Sequence, residues 1–473
     1  MRFSRPRTAF VPSRCLGASV FRWGVVLTIG AFCIGPVQAA DDGLPLIAAA
    51  KSADRRALRA LLTQGANVAA AEADGTTALH WASYRDDVES ADLLLRAGAA
   101  VDAANDLGAT PLWIASLNGG TAMVQRLLQA GANANRGLLL GETPVMVAAR
   151  SGHAAVVEQL LAKGANVHVR AARGQNALMW AVAQQHPDVV KVLLAHGADV
   201  HARSEVWGQV MAAPPHGYPA YNRWFPQGGD TALMFAARVG DLASAKLLVA
   251  AGANVNDADA GGVSAMVLAA HSGYRELVEF LLDKGADASS STAGFTALHE
   301  AIMRRDERMV AALLAHGADP NSPLRTWTPT RRASDDFNFA PPLVGATPFW
   351  LAARFLQPGV MRLLVKHGAD PLFVHTSEYY QIDMYDRRTQ AATALLAATG
   401  IGGGQAWVQP ARAEREALML ETVKLALELG VDVNAANTDG RTALDVARAL
   451  KFESVVNLLV EKGARPGTSS SAK

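Results

Sequence analysis

The side chains that could do chemistry in this sequence are a few histidines and carboxylates that share no recognisable spacing. His216 and His375 lie in irregular segments, and Asp383 and Asp386 follow the latter without forming a metal-ligand pattern such as H-x-x-x-H. C-x-x-C and Gly-x-Ser-x-Gly patterns are absent as well. The sequence therefore predicts no catalytic residue, no metal site and no cofactor, and the protein is not expected to be an enzyme.

Aromatic and arginine residues give a stronger signal, because they concentrate in three irregular segments. Trp, Tyr and Arg dominate binding hot spots, since they combine a large rigid contact area with a polar group. These side chains are predicted to contact a partner protein. Two alternatives stay open: the rings cover the edge of the fold as small satellite cores, or neighbouring clusters close over a carbohydrate or an anion. The candidate contact residues are, segment by segment, Trp207, Tyr221 and Trp224; Trp327 and Arg331; and Tyr379 and Tyr380.

The irregular segments interrupt a repeated unit, which is clearest from Asp74 to Asp106. Thr77 is placed to cap a short helix, Leu94 lies on the apolar face of a second helix, and Gly98 can end that helix in a left-handed conformation. The unit is therefore predicted to be a helix-turn-helix. The terminal glycine first recurs every 33 residues and then at longer steps, at Gly65, Gly98, Gly131, Gly164, Gly197, Gly252, Gly285, Gly317, Gly368, Gly430 and Gly463.

A period near 33, a helix start of the Thr-Pro-Leu-His type and a Gly-Ala-Asp/Asn-Val-Asn ending resemble the ankyrin repeat. The resemblance implies an all-α ankyrin-repeat solenoid of about eleven helix-turn-helix repeats over residues 40–464, with long finger-loop insertions. It also implies that the finger loops and first helices line a concave face on which partners bind. Tyr84 and Arg85, just after a first helix, are contact candidates on that face.

One departure from the family pattern concerns the fourth residue of the helix start. His80 and His299 retain the family histidine, whereas Met234 and Trp350 stand at equivalent places. We expect such substitutions to exchange a hydrogen bond between repeats for apolar packing.

Four insertions are located by the spacing between helix starts and terminal glycines. Three fall between repeats, near residues 204–228, 324–344 and 373–392, and extend the finger loops. The fourth, near residues 400–413, lies between the two helices of one repeat and contains the run from Gly400 to Gly404. No Gly-Lys-Ser/Thr ends that run, so it is interpreted as a flexible connection and not as a phosphate cradle. Leu139 lies in an unusually apolar short finger and either plugs the neighbouring finger or presents an apolar contact.

Residues 1–39 have the pattern of an export signal. Arginines precede the apolar run from Trp23 to Ile34, and Val37-Gln38-Ala39 offers small residues to a signal peptidase. The protein is therefore expected in the periplasm or secreted, with a retained signal anchor as the alternative. The apolar run is short for a transmembrane helix and no later stretch supplies one, so no stable membrane span is expected after removal of the signal.

The balance of charged residues restricts the classes of partner that are expected. The chain has 44 Lys+Arg and 43 Asp+Glu, and removal of the arginine-rich signal leaves a slightly acidic protein. Such a surface offers no electrostatic footprint for nucleic acid. Residues 465–473 are expected to be disordered. We predict a monomeric, non-catalytic scaffold that binds a protein of unknown identity; the alternative is a receptor for a small carbohydrate or anion.

Overall fold

Each predicted repeat forms a pair of short α-helices. The computed structural model describes residues 45–212, 222–328, 339–380, 387–403 and 410–468. Within these ranges, 22 helices form eleven consecutive pairs, here numbered repeats one to eleven, which confirms the predicted helix-turn-helix array. The first helices are α1 (Pro45–Lys51), α3 (Ala78–Tyr84), α5 (Pro111–Asn118), α7 (Pro144–Arg150), α9 (Ala177–Ala183), α11 (Ala232–Val239), α13 (Ala265–Ser272), α15 (Ala297–Met303), α17 (Pro348–Arg354), α19 (Ala394–Thr399) and α21 (Ala443–Leu450). The second helices are α2 (Arg55–Thr63), α4 (Val88–Arg96), α6 (Thr121–Gln129), α8 (Ala154–Ala162), α10 (Pro187–Ala195), α12 (Leu242–Ala250), α14 (Arg275–Asp283), α16 (Glu307–Ala315), α18 (Pro358–Lys366), α20 (Arg412–Glu428) and α22 (Glu453–Glu461).

The helix starts follow from capping. The Thr110 hydroxyl accepts a hydrogen bond from the Trp113 amide, and Pro111 occupies the first helical position, where an amide proton would have no intrahelical acceptor. Thr296, Thr347 and Thr393 cap their helices in the same way. The sequence therefore sets the first helices locally, before any packing.

Stacking supplies the core. Successive first helices contact one another in chain order, and successive second helices do the same, so each repeat buries its apolar face against its neighbours. In nine of the eleven repeats, the residue four places before the terminal glycine is a leucine buried in the stack, and burying a leucine stabilises by roughly 1.5–3 kcal/mol. This position holds Leu94, Leu127, Leu160, Leu193, Leu248, Leu281, Leu313, Leu364 and Leu459, all fully buried.

Two finger insertions contain strands, whereas the sequence predicts only extended finger loops there. β1 (Trp207–Ala212) pairs antiparallel with β2 (Asn222–Gln227), and β3 (His375–Tyr380) pairs antiparallel with β4 (Arg387–Ala392). Cross-strand hydrogen bonding gives these inserted residues backbone partners that a solvent-exposed loop would find only in water. The stack itself stays helical, and the strands are confined to the insertions.

The chain ends differ in part from expectation. Arg465 and Gly467, assigned to a disordered tail, bond to the last repeats: the Arg465 amide donates to Asn434 and the Gly467 amide to Asp445. Both amides thereby find acceptors on ordered side chains, which fixes the backbone here. Residues 1–44 and 469–473 lie outside the described part, and so does the proposed signal. Among the described helices, none combines the length and apolar character that a bilayer-spanning segment needs.

Candidate interaction surface

The tips of neighbouring fingers are joined by backbone hydrogen bonds. The Leu139 amide donates to the Leu107 carbonyl at 3.1 Å, and the Glu205 amide donates to the Arg173 carbonyl at 2.8 Å. We call the row formed by the tips at Leu107, Leu139 and Leu140 together with the β1–β2 hairpin the finger edge. The hairpin is therefore an extension of an ordered row of fingers.

The apolar finger at Leu138 to Leu140 is divided between a packed residue and two exposed residues. Leu138 packs with Trp113 and Val147 in a small apolar cluster. Leu139 is 78% exposed, Leu140 is exposed to a similar extent, and Leu107 of the preceding finger is also exposed. Leu138 thus packs against the first helices of repeats three and four, while Leu139 and Leu140 are exposed.

The β1–β2 hairpin has two unlike faces. Val210 is paired with Trp224 across the strands, so their side chains share one face, and they are 67% and 63% exposed. The Trp224 indole lies over Gly208, where a Cβ would overlap the ring. Gly208 therefore makes room for the indole to lie on the strand. The exposed face combines a large aromatic and an aliphatic side chain.

The other face of the hairpin turns toward the protein. Trp207 lies beneath the Arg173 guanidinium, with 4.2 Å from Cζ to the ring centroid. Phe225 meets Trp327 edge to face at 5.7 Å. This contact joins the first insertion to the second, because Trp327 belongs to the segment that follows repeat eight.

Trp327 corrects the sequence interpretation. It was grouped with the exposed contact candidates, but its side chain is 4% exposed, because the Phe225 ring packs against it. It belongs to a satellite core of the kind weighed as the alternative. Arg331 lies outside the described residues, as does Tyr221 in the first insertion.

The second insertion is fixed at its base. The Thr328 amide donates to the Phe339 carbonyl at 3.1 Å, and the Phe339 amide donates to the Thr328 hydroxyl at 2.7 Å. Phe339 is buried, and its ring lies 5.3 Å from Phe295 and 6.2 Å from the His299 ring. Burial lowers the pKa of His299 to about 4, so this histidine is neutral near pH 7.

The β3–β4 hairpin is docked on the stack. His375 is buried, its ring centroid lies 4.4 Å from that of Trp350, and its Nε2 bonds to the Pro342 carbonyl at 2.9 Å. Burial lowers the pKa of His375, which keeps the ring neutral near pH 7. The backbones of Tyr379 and Tyr380 lie in β3, whereas their side chains lie outside the description, so their predicted contact role stays a prediction.

Trp350 retains the hydrogen bond of the histidine it replaces, which corrects the expectation of apolar packing alone. His80 Nε2 donates to the Ala109 carbonyl at 3.0 Å, while its Nδ1 accepts from the Thr77 amide. The Trp350 indole donates to the Ala392 carbonyl at 2.9 Å. Ala109 and Ala392 both directly precede the capping threonine of the next repeat, so the two bonds are equivalent.

Met234 also keeps part of that pattern, since its sulfur accepts from the Thr231 amide at 3.4 Å. A sulfur is a weak acceptor, so Met234 preserves in a weakened form the hydrogen bond that the family histidine accepts from the backbone amide.

The glycine run of the fourth insertion fits against the same tryptophan. A Cβ on Gly402 would meet the Trp350 ring, and a Cβ on Gly403 would meet Pro342. Arg354 Nε donates to the Gly403 carbonyl at 2.9 Å. We call Trp350, Pro342, His375, Gly402 and Gly403 the Trp350 cluster. It brings the second, third and fourth insertions together, and it uses the glycines for packing.

Tyr84 and Arg85 lie at the end of α3 and are both exposed. The Tyr84 ring meets Trp81 edge to face at 5.7 Å, and Arg85 donates to the Lys51 carbonyl at 2.7 Å. They belong to repeat two, whereas the β1–β2 hairpin follows repeat five. The predicted contact residues therefore fall into separate groups along the stack.

Sequence reasoning missed two half-buried tryptophans on the first helices. Trp81 and Trp180 stand directly after the fourth helix-start position, three repeat periods apart. Lys51 lies 4.4 Å from the Trp81 centroid, and Arg150 lies 5.1 Å from that of Trp180. In both pairs the cation comes from the preceding repeat, so the contact links neighbours. Aligning the repeats and reading this one position would have revealed them.

Metal sites and binding cavities are the other features of the described residues that bear on chemistry. In the described residues, no group of three His, Cys, Asp or Glu side chains could hold a metal ion. The cavities of about 370 and 310 Å³ lie at turns between helices, lined by residues such as Arg275 and Arg304 in one and Tyr274 in the other, and they include no hairpin residue.

A stack of helix pairs joined by hydrogen-bonded fingers defines a repeat protein of the solenoid class. Models described as ankyrin repeats match residues 46–137, 112–204, 233–324 and 178–249, and a single ankyrin repeat model matches 344–375. The chain belongs to the ankyrin repeat family. Ankyrin repeats are protein–protein interaction scaffolds, and the fold is generally non-catalytic.

Individual relatives match part of the chain. A putative palmitoyltransferase ZDHHC13 from Danio rerio is 24% identical over 275 residues, which are 53% of this chain and 38% of that protein. An ankyrin repeat and KH domain-containing protein from Caenorhabditis briggsae is 28% identical over 233 residues, 49% of this chain and 8% of that protein. The chain thus spans well under half the length of either relative.

Among solved structures, the ankyrin repeat domain of human ASB11 is 32% identical with a TM-score of 0.42, covering 50% of this chain and 97% of that domain.

Proposed function

We propose that this protein is a non-catalytic scaffold that acts outside the cytoplasm and binds a partner protein through the finger edge of its repeat stack. The observation that carries the proposal is the exposed face of the β1–β2 hairpin, where Val210 and Trp224 are paired and are 67% and 63% exposed. Large exposed apolar side chains that lie together mark interaction sites. The exposed leucines at positions 107, 139 and 140 extend this surface along the finger row.

The carbohydrate or anion receptor has weaker support. Such a site needs a concave pocket with convergent polar groups. The β1–β2 face is instead a projecting surface, and Trp207 already carries the Arg173 cation on its ring. A protein partner, which can cover a projecting aromatic over a wide area, fits this geometry better.

The binding test uses the mature protein as bait for proteins from its native extracytoplasmic fraction, followed by titration of the purified partner. Trp224→Ala should weaken binding by about 2 kcal/mol or more, as expected for an exposed aromatic anchor. Lys163→Ala is the control, because Lys163 is exposed at the end of α8, away from the fingers. Circular dichroism checks that each variant is folded. Normal binding by both Trp224→Ala and Val210→Ala would contradict the proposal and direct attention to Leu139 and Tyr84.

Export rests on the basic and apolar segment before Ala40, with Val37-Gln38-Ala39 as the cleavage region. The mass of protein from the native extracytoplasmic fraction should lack residues 1–39. A full-length mass in that fraction would favour the retained anchor over cleavage.

A further inference from the structure

β1 is exposed over its first four residues, unlike the equivalent strand of the other hairpin. Residues 206–210, from Val206 to Val210, are all exposed. In β3 the pattern alternates, with His375 and Ser377 buried and the residue after each exposed. Alternation is what a strand shows when one face rests on a core. β1 therefore exposes residues on both of its faces over this stretch, although Trp207 also lies beneath the Arg173 guanidinium.

β1 also has an open edge. Each hairpin is a two-stranded sheet, so within the described residues β1 is paired with β2 and with no other strand. Backbone N–H and C=O groups on the far side of β1 consequently lack a strand partner there. The outer side of β2 lies closer to the next finger, since the Pro226 carbonyl is 3.7 Å from a Cβ built on Gly261. The two edges of this sheet are therefore not equivalent.

Proteins usually protect an open edge with a charge or a proline, because unpaired strand edges recruit other strands. β2 contains Arg223 and Pro226, β3 contains Glu378, and β4 begins with Arg387 and Arg388. The sequence of β1, Trp-Gly-Gln-Val-Met-Ala, contains neither a charge nor a proline. Among the strand residues whose side chains the structure describes, those of β1 are thus both the least protected and the most exposed.

We propose that the outer edge of β1 accepts an extended segment of the partner protein as a third strand of the sheet. This inference rests on the proposed function and names the kind of partner segment. An extended peptide is the ligand that offers backbone donors and acceptors along a strand edge. Because β1 has six residues, the segment pairs over about six residues. Its alternate side chains are apolar, since they lie beside Val210 and the Trp224 indole.

The test uses synthetic probes and does not depend on the natural partner. A library of ten-residue peptides, with Thr and Lys alternating with randomised Val, Ile, Leu, Phe or Tyr, is screened against the mature protein. Two forms of the tightest binder are then made, which differ in the phase of methylation. One carries N-methyl groups on its odd-numbered backbone amides, and the other carries them on its even-numbered backbone amides. N-methylation removes a backbone donor and leaves the side chains unchanged. One phase should weaken binding at least tenfold, while the other binds much as the parent does.

Two variants locate the strand. Val210→Lys should weaken binding of the parent peptide at least tenfold, because it places a charge beside the edge. Thr376→Lys, a matched change at an exposed position of the docked hairpin, should leave binding unchanged. Hydrogen exchange should show new protection of β1 amides in the complex.

Several results would overturn the proposal. These are the absence of any binder in the library, equal effects of the two N-methyl phases, or a homodimer that Val210→Lys dissociates, since the edge would then pair with a second copy. One combination of results would separate the two proposals. If Trp224→Ala weakens binding of the native partner while the two N-methylated peptides bind equally well, the scaffold function is supported and the strand-addition proposal is wrong.

Discussion

The two inserted hairpins share a plan and differ in how they meet the stack. Both pair six residues with six, and both replace a short finger between repeats. In β3–β4, the buried His375 ring reaches Trp350 and bonds to Pro342. In β1–β2, one ring, Phe225, contacts the second insertion, and the opposite face holds the exposed Val210 and Trp224. The β3–β4 insertion thus joins the core because the buried His375 reaches the stack. The β1–β2 insertion contacts neighbouring fingers through Trp207 and Phe225, and its opposite face stays available to a partner.

The largest expected effect tests the docked side of this comparison. Trp350→Ala should lower the unfolding free energy of the repeats around it by about 3–5 kcal/mol, since it removes a fully buried indole and leaves a cavity. Denaturant unfolding followed by circular dichroism measures the change. Trp224→Ala is the matched control and should stay within about 0.5 kcal/mol, because the same side chain is exposed there. Similar losses in the two variants would abolish the distinction between the hairpins.

The second prediction tests whether the glycine run packs against Trp350 or only allows the backbone to turn. Gly402→Ala should cost about 1–3 kcal/mol from overlap with Trp350, in addition to strain at its positive φ of 113°. Gly400→Ala is the control: it has a φ of 106° and nothing within 4 Å of the new Cβ, so it should cost the strain alone. Equal destabilisation of the two variants in thermal melts would show that Trp350 yields to the new methyl group.

The third effect is acid sensitivity of the docked hairpin. Burial lowers the pKa of His375 in the folded protein below its ordinary value of about 6.5. The unfolded chain therefore binds the proton first as the pH falls below about 6.5, and stability decreases with decreasing pH. His80 and His299 act with the same sign.

The contribution of His375 is isolated by comparison with His375→Gln, which can still donate to the Pro342 carbonyl. Unfolding midpoints measured from pH 8 to 4 should fall less steeply in this variant than in the wild type. Parallel profiles would mean that the β3–β4 docking does not sense the proton.

The smallest effect tests the undocked hairpin. Replacing residues 208–226 by a short turn should cost about 1 kcal/mol, the value of the lost Phe225–Trp327 pair. Ser204 and Glu205 are retained, because the Ser204 amide bonds to Asp230 and the Glu205 amide to Arg173. The bounds 204–228 expected from spacing therefore include residues of the stack. A loss as large as that of Trp350→Ala would show that the first hairpin is also core.

The fold could be predicted because the same helix-pair motif recurs many times along the chain. Thr110, Pro111 and Gly98 act through local backbone chemistry, so every copy of the motif is independent evidence for the same helix pair. The insertions occur once each, and their exposure depends on strand register. Trp224 and Phe225 are adjacent in sequence, yet pairing sends one to solvent and the other to Trp327. Composition alone shows that the insertion is rich in aromatic rings and cannot separate the exposed Trp224 from the partly buried Phe225.

The family histidine position shows a second limit of sequence reasoning. Replacement of histidine by tryptophan at position 350 suggested a change from polar to apolar contact. The Trp350 indole N–H nevertheless donates to the Ala392 carbonyl, which is the equivalent of the Ala109 carbonyl that His80 contacts. The N–H group of a tryptophan can therefore preserve a hydrogen bond that would not be expected if the residue were classed only as apolar.

The Trp350 cluster alters how the array should come apart. A solenoid with contacts only between neighbours frays one unit at a time. His375, in the linker after repeat nine, and Gly402, in repeat ten, both lie against the Trp350 indole. Pro342, in the linker before repeat nine, accepts a hydrogen bond from His375 and lies beside Gly403. Chain segments far apart in sequence are thereby clamped at one point. Under mechanical tension or partial denaturation, this portion should yield in a single step, whereas the repeats with short fingers can peel away individually.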